Sequence, residues 1–93
     1  MIPITQSVIY EGRVQGVGFR YCAKEVAKGY EVTGWIKNLP SGTVEMAVKG
    51  EEQEVREFIA AIANSEVAKH IKKTTISEHT NQADKFNDFR IVT

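Results

Sequence analysis

Ser7-Val8-Ile9-Tyr10-Glu11-Gly12-Arg13-Val14-Gln15-Gly16-Val17-Gly18-Phe19-Arg20-Tyr21-Cys22-Ala23-Lys24-Glu25-Val26-Ala27 changes its hydrophobic period partway along, and that change decides the fold. From Ser7 to Val14 strand formers alternate loosely, with Val8, Tyr10 and Val14 on one face, the pattern of a half-buried strand. Gln15-Gly16-Val17-Gly18 breaks that pattern with two glycines. Beyond them Phe19, Cys22, Ala23, Val26, Ala27 and Tyr30 recur at a spacing of three and four, which predicts a helix from about Phe19 to Lys28. A strand enters a glycine loop and leaves it as a helix.

Working outward, Val32 to Asn38 alternates again, and Leu39-Pro40-Ser41-Gly42 carries Pro and Gly where a type I turn takes them. Thr43 to Lys49 resumes with Val44, Met46 and Val48 on one face, so the two runs read as a hairpin of strands two and three. Gly50-Glu51-Glu52-Gln53-Glu54 places acids at the positive end of a second helix, whose stripe Val55, Phe58, Ile59 and Ile62 faces a core and which ends near Asn64. Ala68 to Ser77 reads as a fourth strand, and Phe89, Ile91 and Val92 as a short fifth one after the polar stretch Glu78 to Lys85. The order is βαββαβ, the split βαβ or ferredoxin-like α+β plan, with two helices covering one face of an antiparallel sheet.

That topology brings distant residues together. In a right-handed βαβ unit strands one and two run parallel, with strand three between them, so Gln15 and Asn38 share one edge of the sheet. Two strand spacings separate them, roughly 10 Å, a gap that an extended arginine and a bound phosphoryl group can together bridge. Arg20, in the first helical turn, is placed to do so, and its planar fork of donors matches phosphate oxygens. The turn Gly16-Val17-Gly18 can converge its N–H groups on an anion at the positive end of the helix. Taken singly these signals have plainer readings: glycines punctuate many strand-to-helix joints, Asn38 could be a strand-end hydrogen bonder, and Arg20 could pack its stem on Tyr21 or Glu25.

Composition narrows the function. One domain is expected from 93 residues, and 12 basic residues against 12 acidic ones give no overall field that would draw nucleic acid or an anionic membrane. The single cysteine, Cys22, favours a reducing compartment, and it falls on the inward helical face, where it reads as core. Neither a spanning segment of roughly 18 to 20 apolar residues nor a signal peptide is visible, so a soluble cytoplasmic chain is expected. A Walker A loop is excluded because no Gly-Lys-Ser/Thr follows the glycines, and a dinucleotide fingerprint because Tyr21 stands at the third glycine's place. A cysteine phosphatase would need an arginine where Lys28 stands. His70 and His79 lack partners at ligand spacing, and Trp35 reads as core.

Two segments, Gly12-Arg13-Val14-Gln15-Gly16-Val17-Gly18-Phe19-Arg20 and Gly34-Trp35-Ile36-Lys37-Asn38-Leu39-Pro40-Ser41-Gly42-Thr43-Val44-Glu45, resemble the two signature segments of the acylphosphatase family. Phe86-Asn87-Asp88-Phe89-Arg90-Ile91 also resembles that family's closing strand. The resemblance implies that Gln15, Gly16, Val17, Gly18 and Phe19 cradle phosphate with backbone N–H groups, that Arg20 binds the phosphoryl group and that Asn38 orients the attacking water. It implies no metal and no cofactor. The expected partner is a small-molecule acyl phosphate, with inorganic phosphate or a similar anion as product or inhibitor, acted on by a monomer. Two departures stand out: Glu31 occupies a position usually held by glycine, with Gly29 two residues earlier, and Lys72-Lys73-Thr74-Thr75 replaces a more valine-rich fourth strand.

The same plan also carries RNA-recognition and regulatory domains. Thr43-Val44-Glu45-Met46-Ala47-Val48-Lys49 has none of the aromatics an RNA-stacking third strand needs. A phosphate- or acyl-phosphate-sensing module that does not cleave its ligand remains as the alternative. It would keep the Arg20 loop without needing Asn38 to hold a water. The family module also occurs in larger carbamoyl-transfer proteins, and a free-standing hydrolase is the expectation here.

Overall fold

The computed structural model describes residues 3–78 and 86–93. Strand β1 (Pro3–Gly12) leads through the glycine loop into helix α1 (Phe19–Ala27). Strands β2 (Val32–Asn38) and β3 (Val44–Glu51) form a hairpin, followed by helix α2 (Glu52–Ala63), a 3-10 turn over Glu66–His70, and strands β4 (Ile71–Glu78) and β5 (Phe89–Ile91). The five strands form one sheet in the order β4-β1-β3-β2-β5. β3 is antiparallel to both β1 and β2, so β1 and β2 run parallel with β3 between them, as the crossover rule requires. The short β5 adds one parallel pair, Gly34 to Ile36 of β2 against Phe89 to Ile91, so the sheet is mixed at that edge.

Both helices lie on one face because the inward alternation of the strands meets their apolar stripes there. Val8, Tyr10, Ile36, Val44, Met46 and Val48 from the sheet are buried with Phe19 and Ala23 of α1 and Val55, Phe58 and Ile62 of α2. Tyr10 packs against Phe19 in a tilted pair with ring centroids 4.7 Å apart, and Phe58 meets Phe89 edge-on at 5.2 Å. Cys22 is half-buried against this core. Trp35 is buried on the opposite face with Ala47, its partner across the β2–β3 pair, under Phe86 and Val92.

The strand limits shift in ways that have physical causes. β1 begins at Pro3 rather than Ser7 because β3 continues to Glu51 and pairs with it throughout. It ends at Gly12 rather than Val14, where the register against β4 shifts between Glu11 and Gly12. Gly12 has φ 131, and a side chain there would run into the His70 carbonyl and lie 2.7 Å from the Lys72 nitrogen. The fourth strand begins at Ile71, not Ala68, because Val67 turns into the core and 66–70 winds as a 3-10 turn. β4 has no buried residue, as its polar sequence requires. Glu31 is accommodated at the exit of α1, where its N–H donates to Glu54 Oε1 of α2 at 2.7 Å. His79 and the stretch 79–85 lie outside the described residues.

Candidate functional site

The site forms at the sheet edge where β1 and β2 end. Gly16 and Gly18 have φ of 78 and 79, left-handed values that suit glycine and reverse the chain twice around Val17. No atom lies within 4 Å of where a Cβ would stand on either glycine, so both face open space. Among the described residues, the N–H groups of Gly16, Val17, Gly18 and Phe19 have no backbone acceptor. The Gly18 carbonyl accepts the first helical bond from the Cys22 N–H at 2.9 Å, which puts these donors at the positive end of α1. No acidic side chain occupies the first turn to cancel that potential. Phe19 turns its ring into the core against Tyr10, so it has only its N–H to offer.

Arg20 is partly buried one residue into α1 and, among the described residues, pairs with no carboxylate. Asn38 is the last residue of β2, opposite Val44. Its Oδ1 is buried without a hydrogen-bond partner among the described residues. A buried acceptor left unpaired costs about 1–3 kcal/mol, a local cost that the rest of the fold offsets.

What joins the two halves is the side chain of Gln15. Its Nε2 donates to the Leu39 carbonyl and to the Thr43 carbonyl, each at 2.8 Å, clamping the glycine-loop segment to the β2–β3 turn. The turn is itself closed by Leu39 N–H to the Thr43 carbonyl at 2.9 Å and Gly42 N–H to the Leu39 carbonyl at 3.1 Å. Gly42 takes φ 93, the left-handed residue of a three-residue hairpin loop. Ser41 and Thr43 hydroxyls meet at 2.8 Å and stiffen the same turn. The shared edge expected for Gln15 and Asn38 is therefore observed as direct contact between their segments. The sequence marked Gln15 only as a backbone member of the loop. Its amide, with two donors and a reach that a shorter side chain lacks, was the signal for the cross-link.

Beyond this edge, no group of three or more His, Cys, Asp or Glu side chains among the described residues could hold a metal ion. No described helix is long and apolar enough to cross a membrane.

A ferredoxin-like α+β scaffold with an anion-ready glycine loop facing an asparagine at the next parallel strand end defines the class of protein. The acylphosphatase family profile matches residues 6–91. An acylphosphatase of Bacillus licheniformis is 37% identical over 84 residues, 90% of this chain and 92% of that one. One of Methanospirillum hungatei is 46% identical over 59 residues, spanning 63% of this chain and 65% of that relative. Among solved structures, the crystal structure of acylphosphatase from Bacillus subtilis superimposes with a TM-score of 0.85 at 30% identity, covering 99% of this chain and 100% of that one. The chain belongs to the acylphosphatase family, and the expectation of an enzyme on a ferredoxin-like fold stands with it.

Proposed function

We propose that the chain hydrolyses acyl phosphates to a carboxylate and inorganic phosphate, with Arg20 and the N–H groups of Gly16 to Phe19 holding the phosphoryl group and Asn38 orienting the attacking water. The observation that carries this reading is the glycine loop at the positive end of α1, whose N–H groups have no backbone acceptor among the described residues and which the Gln15 side chain ties to the turn that follows Asn38. The water is held by hydrogen bonding to the Asn38 side-chain amide, and its oxygen attacks phosphorus. The bond from phosphorus to the acyl oxygen breaks, and its electron pair leaves with the carboxylate. Asn38 cannot take a proton, so the water's proton passes to a phosphoryl oxygen or to solvent.

Phosphoryl transfer proceeds through a loose transition state in most analyses, so positioning and charge stabilisation supply most of the acceleration. The Arg20 guanidinium and the backbone donors provide both. A carboxylic acid has a pKa of about 4, so the leaving group departs at neutral pH without a protein general acid. The same reasoning makes the reaction independent of metal and cofactor, in a chain acting as a cytoplasmic monomer.

The test is hydrolysis of benzoyl phosphate by the purified chain, with and without chelator, beside Arg20→Ala and Asn38→Ala. Turnover that survives chelator is expected, with Asn38→Ala losing kcat while inorganic phosphate still inhibits, and Arg20→Ala losing both. Arg20→Lys should also fail, because a point charge cannot form the two-pronged contact. Equal loss of phosphate affinity in the two alanine variants would refute the division of roles. A folded wild type that binds phosphate and turns nothing over would favour a sensing module.

A further inference from the structure

Among the described residues the exposed large hydrophobics are Val17, Tyr21 and Ile76, and the first two flank Arg20 in the chain. Val17 is the middle residue of the glycine loop, between Gly16 and Gly18, and Tyr21 follows Arg20 in the first turn of α1. Every other Phe, Tyr and Trp of the chain meets another ring or a cation, whereas Tyr21, 68% exposed, meets neither among the described residues. An aromatic ring offers a large, rigid apolar area at low entropic cost, so a bare one beside an anion cradle is a ready contact for a ligand.

The helix sets where Tyr21 stands. Buried Phe19 and Ala23 mark the side of α1 that faces the sheet, and at about 100° per residue Tyr21 falls on the opposite side. Helical Cα–Cβ bonds tilt toward the N-terminus, which inclines a first-turn side chain toward the glycine loop and Val17. Phosphoryl transfer is in line, so the acyl oxygen departs opposite the attacking water. Asn38, which orients that water in the reading above, belongs to the sheet. The acyl group therefore leaves on the side of the cradle turned away from the sheet, the side that Tyr21 occupies.

We propose that Tyr21, with Val17 beside it, is the specificity-determining residue of this site: its ring receives the acyl group and selects acyl phosphates with a flat aromatic body over short-chain ones. The inference rests on the acyl-phosphate reading above. The contact is present before and during the transfer, so it lowers KM and leaves kcat nearly unchanged. It is apolar, so added salt does not weaken it.

The experiment compares benzoyl phosphate with acetyl phosphate, whose leaving groups are nearly equal in acidity, using the native chain, Tyr21→Ser and Tyr21→Phe. The native chain is expected to show the lower KM for benzoyl phosphate and to keep that preference at high salt. Tyr21→Ser should lose about three- to tenfold in kcat/KM on benzoyl phosphate, through KM. It should keep the native kcat/KM on acetyl phosphate, whose methyl group offers the ring little area, and Tyr21→Phe should keep the native values on both. An equal loss on the two substrates, or no loss on benzoyl phosphate, would overturn the proposal while leaving hydrolysis intact. If the native chain hydrolyses neither, the acyl-phosphate reading fails. Tyr21 is then judged by NMR titrations with benzylphosphonate and methylphosphonate. Tighter binding of benzylphosphonate that Tyr21→Ser abolishes would support an apolar subsite, and equal affinities, or no binding, would overturn it.

Discussion

Replacing Gln15 with leucine removes the clamp between the glycine loop and the β2–β3 turn while keeping most of the side-chain volume. Two hydrogen bonds of 2.8 Å are lost, to Leu39 O and Thr43 O. Each carbonyl keeps a backbone donor, Gly42 N–H at 3.1 Å for Leu39 and Leu39 N–H at 2.9 Å for Thr43, so neither is orphaned. The stability cost should therefore stay near the net value of two ordinary hydrogen bonds, about 1–2 kcal/mol, read as a shift in the urea midpoint at constant slope. Catalysis should suffer more. Freed from the clamp, Asn38 and the loop can drift apart, and a misplacement of about 1 Å can cost on the order of 100-fold in rate. Arg20 and the loop donors remain, so inhibition by phosphate should change by no more than about threefold. Gln15→Asn should rescue little, since it is one methylene too short to reach both carbonyls. A variant destabilised as calculated yet turning over benzoyl phosphate at the native kcat would refute the reasoning, and would make the clamp a purely structural tie.

Gly18→Ala meets no atom within 4 Å but must hold φ 79, so a stability loss of about 1–2 kcal/mol in urea is expected, together with weaker phosphate inhibition. Gly34→Ala would drive its Cβ into the Ala47 carbonyl within the β2–β3 pair, and a loss of more than about 4 kcal/mol, or no cooperative unfolding at all, is expected. The Tyr10 hydroxyl is buried with no partner among the described residues, and desolvation pushes its ionisation far above the ordinary value of about 10. Only the unfolded chain then releases that proton near pH 10. Tyr10 therefore takes nothing from stability below that pH and makes it fall as pH rises further, by up to about 1.4 kcal/mol per pH unit. Tyr10→Phe should remove this part of the alkaline loss and, at pH 7, leave stability equal or higher, which urea titrations at pH 7 and pH 11 will show.

The architecture was legible because the period of the apolar residues changes cleanly from two to three and four at Gly16-Val17-Gly18, and because Val44, Met46 and Val48 alternate without ambiguity. Handedness then places Gln15 and Asn38 on one edge of the sheet. The fourth strand was read too early because Ala68 to Ile71 carries no glycine or proline to mark a turn, and what bends the chain there is the burial of Val67. The parallel direction of β5 follows from how the chain returns to β2, which no local pattern encodes. The clamp of Gln15 and the orphaned oxygens of Asn38 and Tyr10 are tertiary facts, since a polar atom's lack of a partner depends on every element packed around it.

The central position of β1 and β3 in the sheet bears on how the protein reaches its active form. Tyr10 must find Val44, and Gln6 must find Glu78, before β1 is paired on both sides. Among the described elements, the two helices, the 3-10 turn and the β2–β3 hairpin form from neighbouring residues. Pairings of such sequence separation pay their loop-closure entropy early, which makes folding slower than that of helical bundles. The hairpin carries Asn38 but has no loop to face until β1 inserts beside β3. During refolding, recovery of turnover should therefore coincide with completion of the sheet, and no partly folded species should carry a fraction of the activity.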